Sequence, residues 1–368
     1  MNEREMVAEA TALGTTLVPV AEVRPRGRVN RELVATLGRA GLFERVFAEE
    51  GITADELCQI RQGLGRVCTE AETAFAVQGL GGAPIHLAGS QAVRDQWLPR
   101  LRSGEAVAAF ALTEEEAGSD AAALATVAEP DGEGYRITGT KVYISNAPDA
   151  DVATVFARTT ADAGARGVTA FAVSIESEGV SGEAIEMVSP HPLGRWDLDG
   201  VYVTRDQVLG EVDDGFRVAM QTLDLFRPSV GAFALGMAEA ALQIAVEHAT
   251  TREAFGTTIS EFQGVTHQLA DVRVGIAAAE HLIYAAAAAY DAGDRESLTG
   301  LAAMAKLFAT ELAQRAVDVA IQVLGARGLE ADSTLAHLYT EVRAPRIYEG
   351  TSEIQRNIIA RELFRGRL

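Results

Sequence analysis

Lysine is nearly missing from this chain: of 32 basic residues, only Lys141 and Lys306 are not arginine. Cysteine is as scarce. Cys58 and Cys68 are the only two, and neither stands at metal-type spacing from another cysteine, which excludes a thiolate metal cluster and predicts reduced, buried thiols. No run of eighteen apolar residues occurs, so no membrane span is expected. The opening Met-Asn-Glu-Arg-Glu-Met is charged and leads into no apolar core, so no secretory signal is legible and a cytoplasmic location is expected. Positive charge is short overall. A net charge of −20 argues against nucleic acid as a partner, because phosphate binding requires a basic face.

What is present is an ordinary soluble balance, 48% hydrophobic and 23% charged, over 368 residues. That length suits two or three domains. The arginine-for-lysine bias and heavy alanine content hint at a GC-rich bacterial genome.

Three segments follow one another by period. Residues 1–107 read as helical. Asn30 can cap a helix carrying Leu33, Val34 and Leu37. Thr53 with Glu56 forms a capping box, and Ser90 can cap a helix through Val93, Trp97 and Leu98. Gly79 to Pro84 reads as a loop between helices. Residues 108–212 alternate with period two. Tyr135–Ile144 reads as a hairpin turning at Gly139, followed by short strands over 152–157, 168–175 and 201–203. Residues 213–368 return to helical period in long segments with short links, as in a bundle. The expected fold is α+β and multidomain: an N-terminal helical domain (1–107), a small central β-barrel or sandwich (108–212) and a C-terminal four-helix bundle (213–368).

The strongest local signal is Arg343-Ala-Pro-Arg-Ile-Tyr-Glu-Gly-Thr-Ser-Glu-Ile-Gln-Arg-Asn357. Pro345 biases Ala344 away from helix, and Gly350 permits a backbone angle that other residues resist. Ser352 with Gln355 reads as a capping box opening the last helix. Glu349 therefore falls on a tight turn before a helix N-terminus, where a carboxylate can be held rigidly as a general base. A surface turn glutamate would look the same from this stretch alone.

Arg346-Ile-Tyr-Glu-Gly-Thr-Ser-Glu-Ile-Gln-Arg356 resembles the C-terminal signature of the acyl-CoA dehydrogenase family. Four further elements match that family in identity and order. Thr113 and Ser119 sit in Phe110–Asp120, similar to its flavin and thioester loop, with Glu115-Glu116 replacing a Pro-Gly pair. Tyr143 and Ser145 sit in Lys141-Val-Tyr-Ile-Ser-Asn146, similar to its flavin-facing strand. Arg252, Phe255 and Gln263 match an element that reaches the FAD of a neighbouring subunit. Gln322 and Gly325 match the turn of Gln322-Val-Leu-Gly-Ala-Arg-Gly328, which meets that same FAD, with Ala326 in place of a glycine. Thr351 and Glu353 lie where the family holds FAD near a helix N-terminus.

The resemblance implies an FAD-dependent dehydrogenase acting on CH–CH of an acyl thioester. Glu349 would remove the α-proton while flavin N5 accepts hydride. Phe226, Arg227, Tyr348, Gly350 and Ser119 would face the substrate, and a bulky Phe226 beside Arg227 favours a short or polar acyl group. Asp224, the only acid in Leu223–Pro228, is offset from the alternative base position of some relatives. The implied partners are an electron-acceptor flavoprotein and a second copy of the chain, in a homodimer or homotetramer with FAD at the interface. The carrier is open between CoA and acyl carrier protein. An apparently trimmed N-terminus and a short Leu193–Gly200 segment resemble small relatives in polyketide biosynthesis that use the latter. An oxidase or monooxygenase of the same fold is the alternative reading.

Overall fold

The computed structural model describes residues 4–23 and 27–368. Helices come first: α1 (Glu5–Ala21), α2 (Arg31–Arg39), α3 (Leu42–Val46), α4 (Ala54–Val67), α5 (Thr69–Ala88) and α6 (Gln91–Ser103). Eight strands follow: β1 (Ala108–Ala111), β2 (Val127–Asp131), β3 (Gly134–Ser145), β4 (Val152–Arg158), β5 (Val168–Ser174), β6 (Val180–Ile185), β7 (Leu193–Thr204) and β8 (Val208–Leu209). Then come α7 (Gly215–Thr251), the small hairpin β9 (Glu253–Ala254) and β10 (Thr257–Thr258), α8 (Gln263–Asp291), α9 (Arg295–Leu324), α10 (Thr334–Glu341) and α11 (Ser352–Phe364).

The expected caps form. Asn30, Thr53 and Ser90 accept from the N–H groups of Leu33, Glu56 and Val93, relieving donors that a helix start leaves unpaired. At the last helix the cap is Thr351, which accepts from Ile354 N at 3.3 Å. Ser352, expected in that role, is instead the first helical residue and donates to Glu311 at 2.7 Å. Ala344, expected outside helix, opens a short 3₁₀ turn, Ala344–Arg346, with Pro345 inside it.

The chain forms two compact units. One holds Pro19–Ile52 and Thr73–Leu223. Its sheet runs β6-β7-β3-β2-β4-β5-β8, with β1 also pairing with β4. Strands β4 and β5 are buried along nearly their whole length, as hydrophobic runs with no alternation require. Tyr135–Ile144 is not a hairpin but part of the single strand β3, paired with β7 on both sides of two register shifts. Gly139 marks a register shift there rather than a turn. A Cβ at Gly139 would lie 2.5–2.8 Å from Thr126, so the ladder closes only over glycine. The turn is one step earlier, where β2 meets β3 at Gly132, φ +58°. The expected loop at 79–84 is also absent, because α5 runs straight through it. Its glycines give close approach instead: a Cβ on Gly81 would meet Ala109 N at 2.6 Å, and one on Gly82 the Phe47 ring at 2.6 Å.

The other unit holds α1 up to Val18, Thr53–Glu72 and Asp224–Leu368. Within it α8 packs along α9, α11 and α10 pack on α9, and α4 packs on α8. Among the described residues, α7 and α8 are long and apolar enough to cross a membrane. The most apolar window of α7 is 67% buried inside the fold, as in the core helix of a bundle. Cys58 and Cys68 are buried, and neither forms a disulfide among the described residues.

Candidate active site

The turn that carries Glu349 is built from its backbone outward. Ile347 N–H and Tyr348 N–H both bond to Ala344 O, at 2.8 and 3.2 Å, ending the 3₁₀ turn. Glu349 then adopts φ +51° and Gly350 φ +89°. A left-handed non-glycine residue carries roughly 1–2 kcal/mol of strain, and two buried side chains hold it. Lys306 Nζ donates to Gly350 O at 2.6 Å. Gln355 Nε2 donates to Gly350 O at 2.9 Å and to Glu349 O at 3.2 Å. Lys306 and Gln355 are both fully buried. Glu311 ties the turn to α9, accepting from Arg346 at 2.8 Å as well as from Ser352.

Glu349 itself is half-buried, yet its Oε2 is buried with no hydrogen-bond partner among the described residues. Loss of solvent raises its pKa above the ordinary carboxylate range, while Arg61, Arg227 and Lys306 oppose the rise. Arg61 is buried on α4 in an ion pair with buried Glu72, and its Nη1 donates to Ser229 Oγ at 2.7 Å. Ser229 Oγ in turn donates to Phe226 O at 2.6 Å. Arg227, on α7, bonds Asp224 Oδ1 at 3.2 Å. Burial brings Lys306 down to about 8, with Glu349 pulling the other way.

Glu349, Tyr348, Gly350 and Arg227 thus share one unit with a charged cluster, Arg61, Glu72 and Lys306, that sequence reasoning did not select. For Lys306 a signal existed, in that it is one of two lysines in an arginine-rich chain. The other, Lys141, is also fully buried. Its Nζ donates to Glu114 Oε1 at 2.7 Å and Leu112 O at 3.2 Å, and burial lowers it to about 8. Glu114 in turn accepts from Ala125 and Thr126 N–H, so Lys141 clamps the 110–120 loop to β3. Thr113, whose carbonyl accepts from Val142 N at 3.0 Å, is half-buried beside that clamp, and Ser119 is exposed on the loop. A second register shift, between Lys141 and Ile144, puts Tyr143 at φ +56° and 55% exposed, next to half-buried Ser145.

The remaining selected residues stand at helix ends of the bundle unit. Arg252 follows α7 and is exposed. Phe255 tips the β9–β10 hairpin at φ +53° with Gly256 at φ +85°, and is 98% exposed. Gln263 opens α8, Gln322 lies in the last turn of α9, Gly325 caps it at φ +64°, and Glu353 lies in the first turn of α11; all are exposed. Phe226 is buried on α7.

Comparison with known proteins agrees over nearly the whole length. The acyl-CoA dehydrogenase N-terminal, middle and C-terminal domains match residues 2–105, 109–201 and 213–364. A probable acyl-CoA dehydrogenase of Mycobacterium leprae is 34% identical over 99% of this chain and 95% of its own. Cyclohexane-1-carbonyl-CoA dehydrogenase of Geobacter metallireducens is 35% identical over 94% and 92%. The structure of butyryl-CoA dehydrogenase from Megasphaera elsdenii superposes with TM-score 0.91 at 30% identity, covering 99% of both chains. A prolyl acyl carrier protein oxidase has TM-score 0.90 over 98% of both chains, but at 24% identity it shares only the fold. The chain belongs to the acyl-CoA dehydrogenase family.

Proposed function

We propose that this protein is an FAD-dependent dehydrogenase that oxidises a C–C bond of an acyl thioester, with Glu349 as the base. One observation carries the reading: a carboxyl oxygen, Glu349 Oε2, is buried without a partner on a strained turn that Lys306 and Gln355 hold in place. The elevated pKa makes that carboxylate a stronger base for a weakly acidic α-proton. Glu349 N–H makes no hydrogen bond among the described residues, so it is free to donate to the thioester oxygen as negative charge develops there.

The residues present fit a flavin dinucleotide. Tyr143 is exposed at a register shift in its strand, and Phe255, edge-to-face with Phe262, stands almost wholly exposed on a glycine turn; both present aromatic surface to solvent. Tyr143, Thr113, Ser119 and Ser145 would hold the ring portion. Arg252 offers paired donors to pyrophosphate, and with Phe255, Gln263, Gln322 and Gly325 it would reach the dinucleotide of a neighbouring copy; Thr351 and Glu353 would meet FAD at a helix start. When bound, the flavin supplies the hydride acceptor. An exposed Phe255 also suits a homo-oligomer in which bundle residues reach a neighbour's cofactor. The carrier we favour is coenzyme A, which is in the names of relatives 34–35% identical to this chain. An electron-transferring flavoprotein is the matching acceptor.

The test is anaerobic absorbance of the purified holoprotein with a panel of short acyl-CoA and acyl-carrier-protein thioesters. Thioester-driven bleaching of the flavin is expected, and Glu349→Gln should slow it by about 10²–10⁴-fold with flavin content retained. A Glu349→Gln protein that bleaches at the wild-type rate would rule out the proposed base. Rapid reoxidation by oxygen after bleaching would place the protein among oxidases.

A further inference from the structure

The stretch Lys141–Asn146 is held by a buried side chain at each end. At one end Lys141, 0% exposed, donates to Glu114 Oε1 at 2.7 Å and to Leu112 O at 3.2 Å. At the other Asn146, 4% exposed, donates to Ala108 O at 2.8 Å. Both anchors fasten β3 to β1 or to the chain that leaves it. Between them the ladder with β7 loses register. Lys141 pairs with Trp196 and Ile144 with Gly194, so β3 carries one residue more than its partner. Tyr143 takes up the excess at φ +56° and stands exposed. A left-handed tyrosine is strained, and such strain persists only where the surroundings over-determine it.

Glu114 is the hub of the Lys141 anchor. Of the three consecutive glutamates 114–116, only Glu114 is buried. Its Oε1 also accepts from Thr126 N at 3.0 Å, and its Oε2 accepts from Ala125 N at 2.6 Å. Its backbone closes a tight turn with Ala117: Glu114 N donates to Ala117 O at 3.3 Å, and Ala117 N to Glu114 O at 3.2 Å. One carboxylate thus fixes the start of the 113–120 loop, the approach to β2, and β3. Thr113 O accepts from Val142 N at 3.0 Å, which joins the loop to the bulge directly. A buried ion pair is weak evidence for stability, because apolar side chains of similar size do as well or better. What this pair supplies is geometry: it sets Thr113 and Tyr143, on two separate segments, in a fixed relation.

We propose that Lys141, acting through Glu114, is the positioning residue of the flavin ring site: the pair pre-builds the wall formed by Thr113 and Tyr143, and its loss weakens flavin binding beyond any loss of stability. A planar, rigid ring is sensitive to displacements of about 0.5 Å in the groups that hold it. Glu114 adjoins Thr113 in the chain, and Lys141 is separated from Tyr143 by Val142 alone. The proposal rests on the flavin placement above.

The experiment titrates FAD into the apoprotein, followed by flavin fluorescence and visible circular dichroism, and measures the melting temperature of the same apoprotein. Lys141→Met should raise the FAD Kd by about tenfold or more, the scale of one or two lost contacts, and change the dichroism of the bound flavin. Lys141→Met with Glu114→Gln leaves no buried charge; it should show the same loss, and serves if the single variant does not fold. Leu37→Ala is the stability control. Leu37 is fully buried on α2 of the same unit, so the cavity should lower the melting temperature while the FAD Kd stays within about twofold of the wild type. A pair variant that binds FAD as the wild type does would overturn the proposal. So would a Leu37→Ala protein that loses FAD affinity as steeply for the same fall in melting temperature. Tyr143→Ala separates the two readings. If it too leaves FAD binding and dichroism unchanged, the flavin placement has failed; if it alters them and the pair variants do not, the positioning role has failed.

Discussion

Replacing Lys306 by methionine removes a cation that the fold buries completely while keeping most of the side-chain volume. In the folded protein Lys306 releases its proton at about 8; in the unfolded chain it does so near the ordinary value of about 10.4. Between those values the unfolded state binds more protons than the folded one, so the contribution of Lys306 to stability rises with pH across that window. Below pH 8 both states are protonated and that gain is absent. Each pH unit of separation corresponds to roughly 1.4 kcal/mol, which gives about 3 kcal/mol in all. At pH 7 the substitution trades the bond to Gly350 O for relief from burying a charge, so the two proteins should lie within about 1–2 kcal/mol of each other. Glu349, Arg227, Glu311 and Glu353 face Lys306 and are common to both proteins. Guanidinium unfolding of the holoprotein and of Lys306→Met at pH 7, 8, 9 and 10 measures the difference directly. It should move in favour of the wild type by about 2–3 kcal/mol between pH 8 and 10. A difference that stays flat across that range would refute the argument, since it would mean that Lys306 titrates as an exposed lysine.

Two further outcomes are expected. Arg61→Met strips buried Glu72 of its guanidinium and should cost about 3–5 kcal/mol of unfolding free energy; Arg61→Met with Glu72→Leu should recover most of it, and a double variant no better than the single would contradict the buried ion pair as the source of that cost. The rate of flavin reduction should fall on the acid side with an apparent pKa above that of a free glutamate, because the base works deprotonated and burial raises its pKa; stopped-flow reduction from pH 5 to 8 measures it, and a midpoint near 4 would contradict the desolvated setting.

The legible parts of this protein were those set by neighbours a few residues apart. Caps at Asn30, Thr53 and Ser90 were readable because each bonds to an N–H three residues on. The misreadings came where distant packing overrode local chemistry. The glycines of 79–84 look like a loop until Ala108, Ala109 and Phe47 press against them. Gly139 looks like a turn until Thr126 occupies the space that a side chain would need. The last cap was misplaced by one residue because Glu311 on α9 competes for the Ser352 hydroxyl.

By itself the sequence determined the succession of helices, strands and helices, through the change from a 3.6-residue to a two-residue period and back. It also determined the turn at Glu349-Gly350, through a glycine and a following cap, and the family resemblance, through five ordered motifs. Only the tertiary structure decided which charges are buried. Arg61 meets Ser229 across 168 positions of chain, Lys141 meets Glu114 across 27, and Lys306 meets Gly350 across 44. Charge is a property of a residue, but its desolvation is a property of everything folded around it, and no local pattern encodes that.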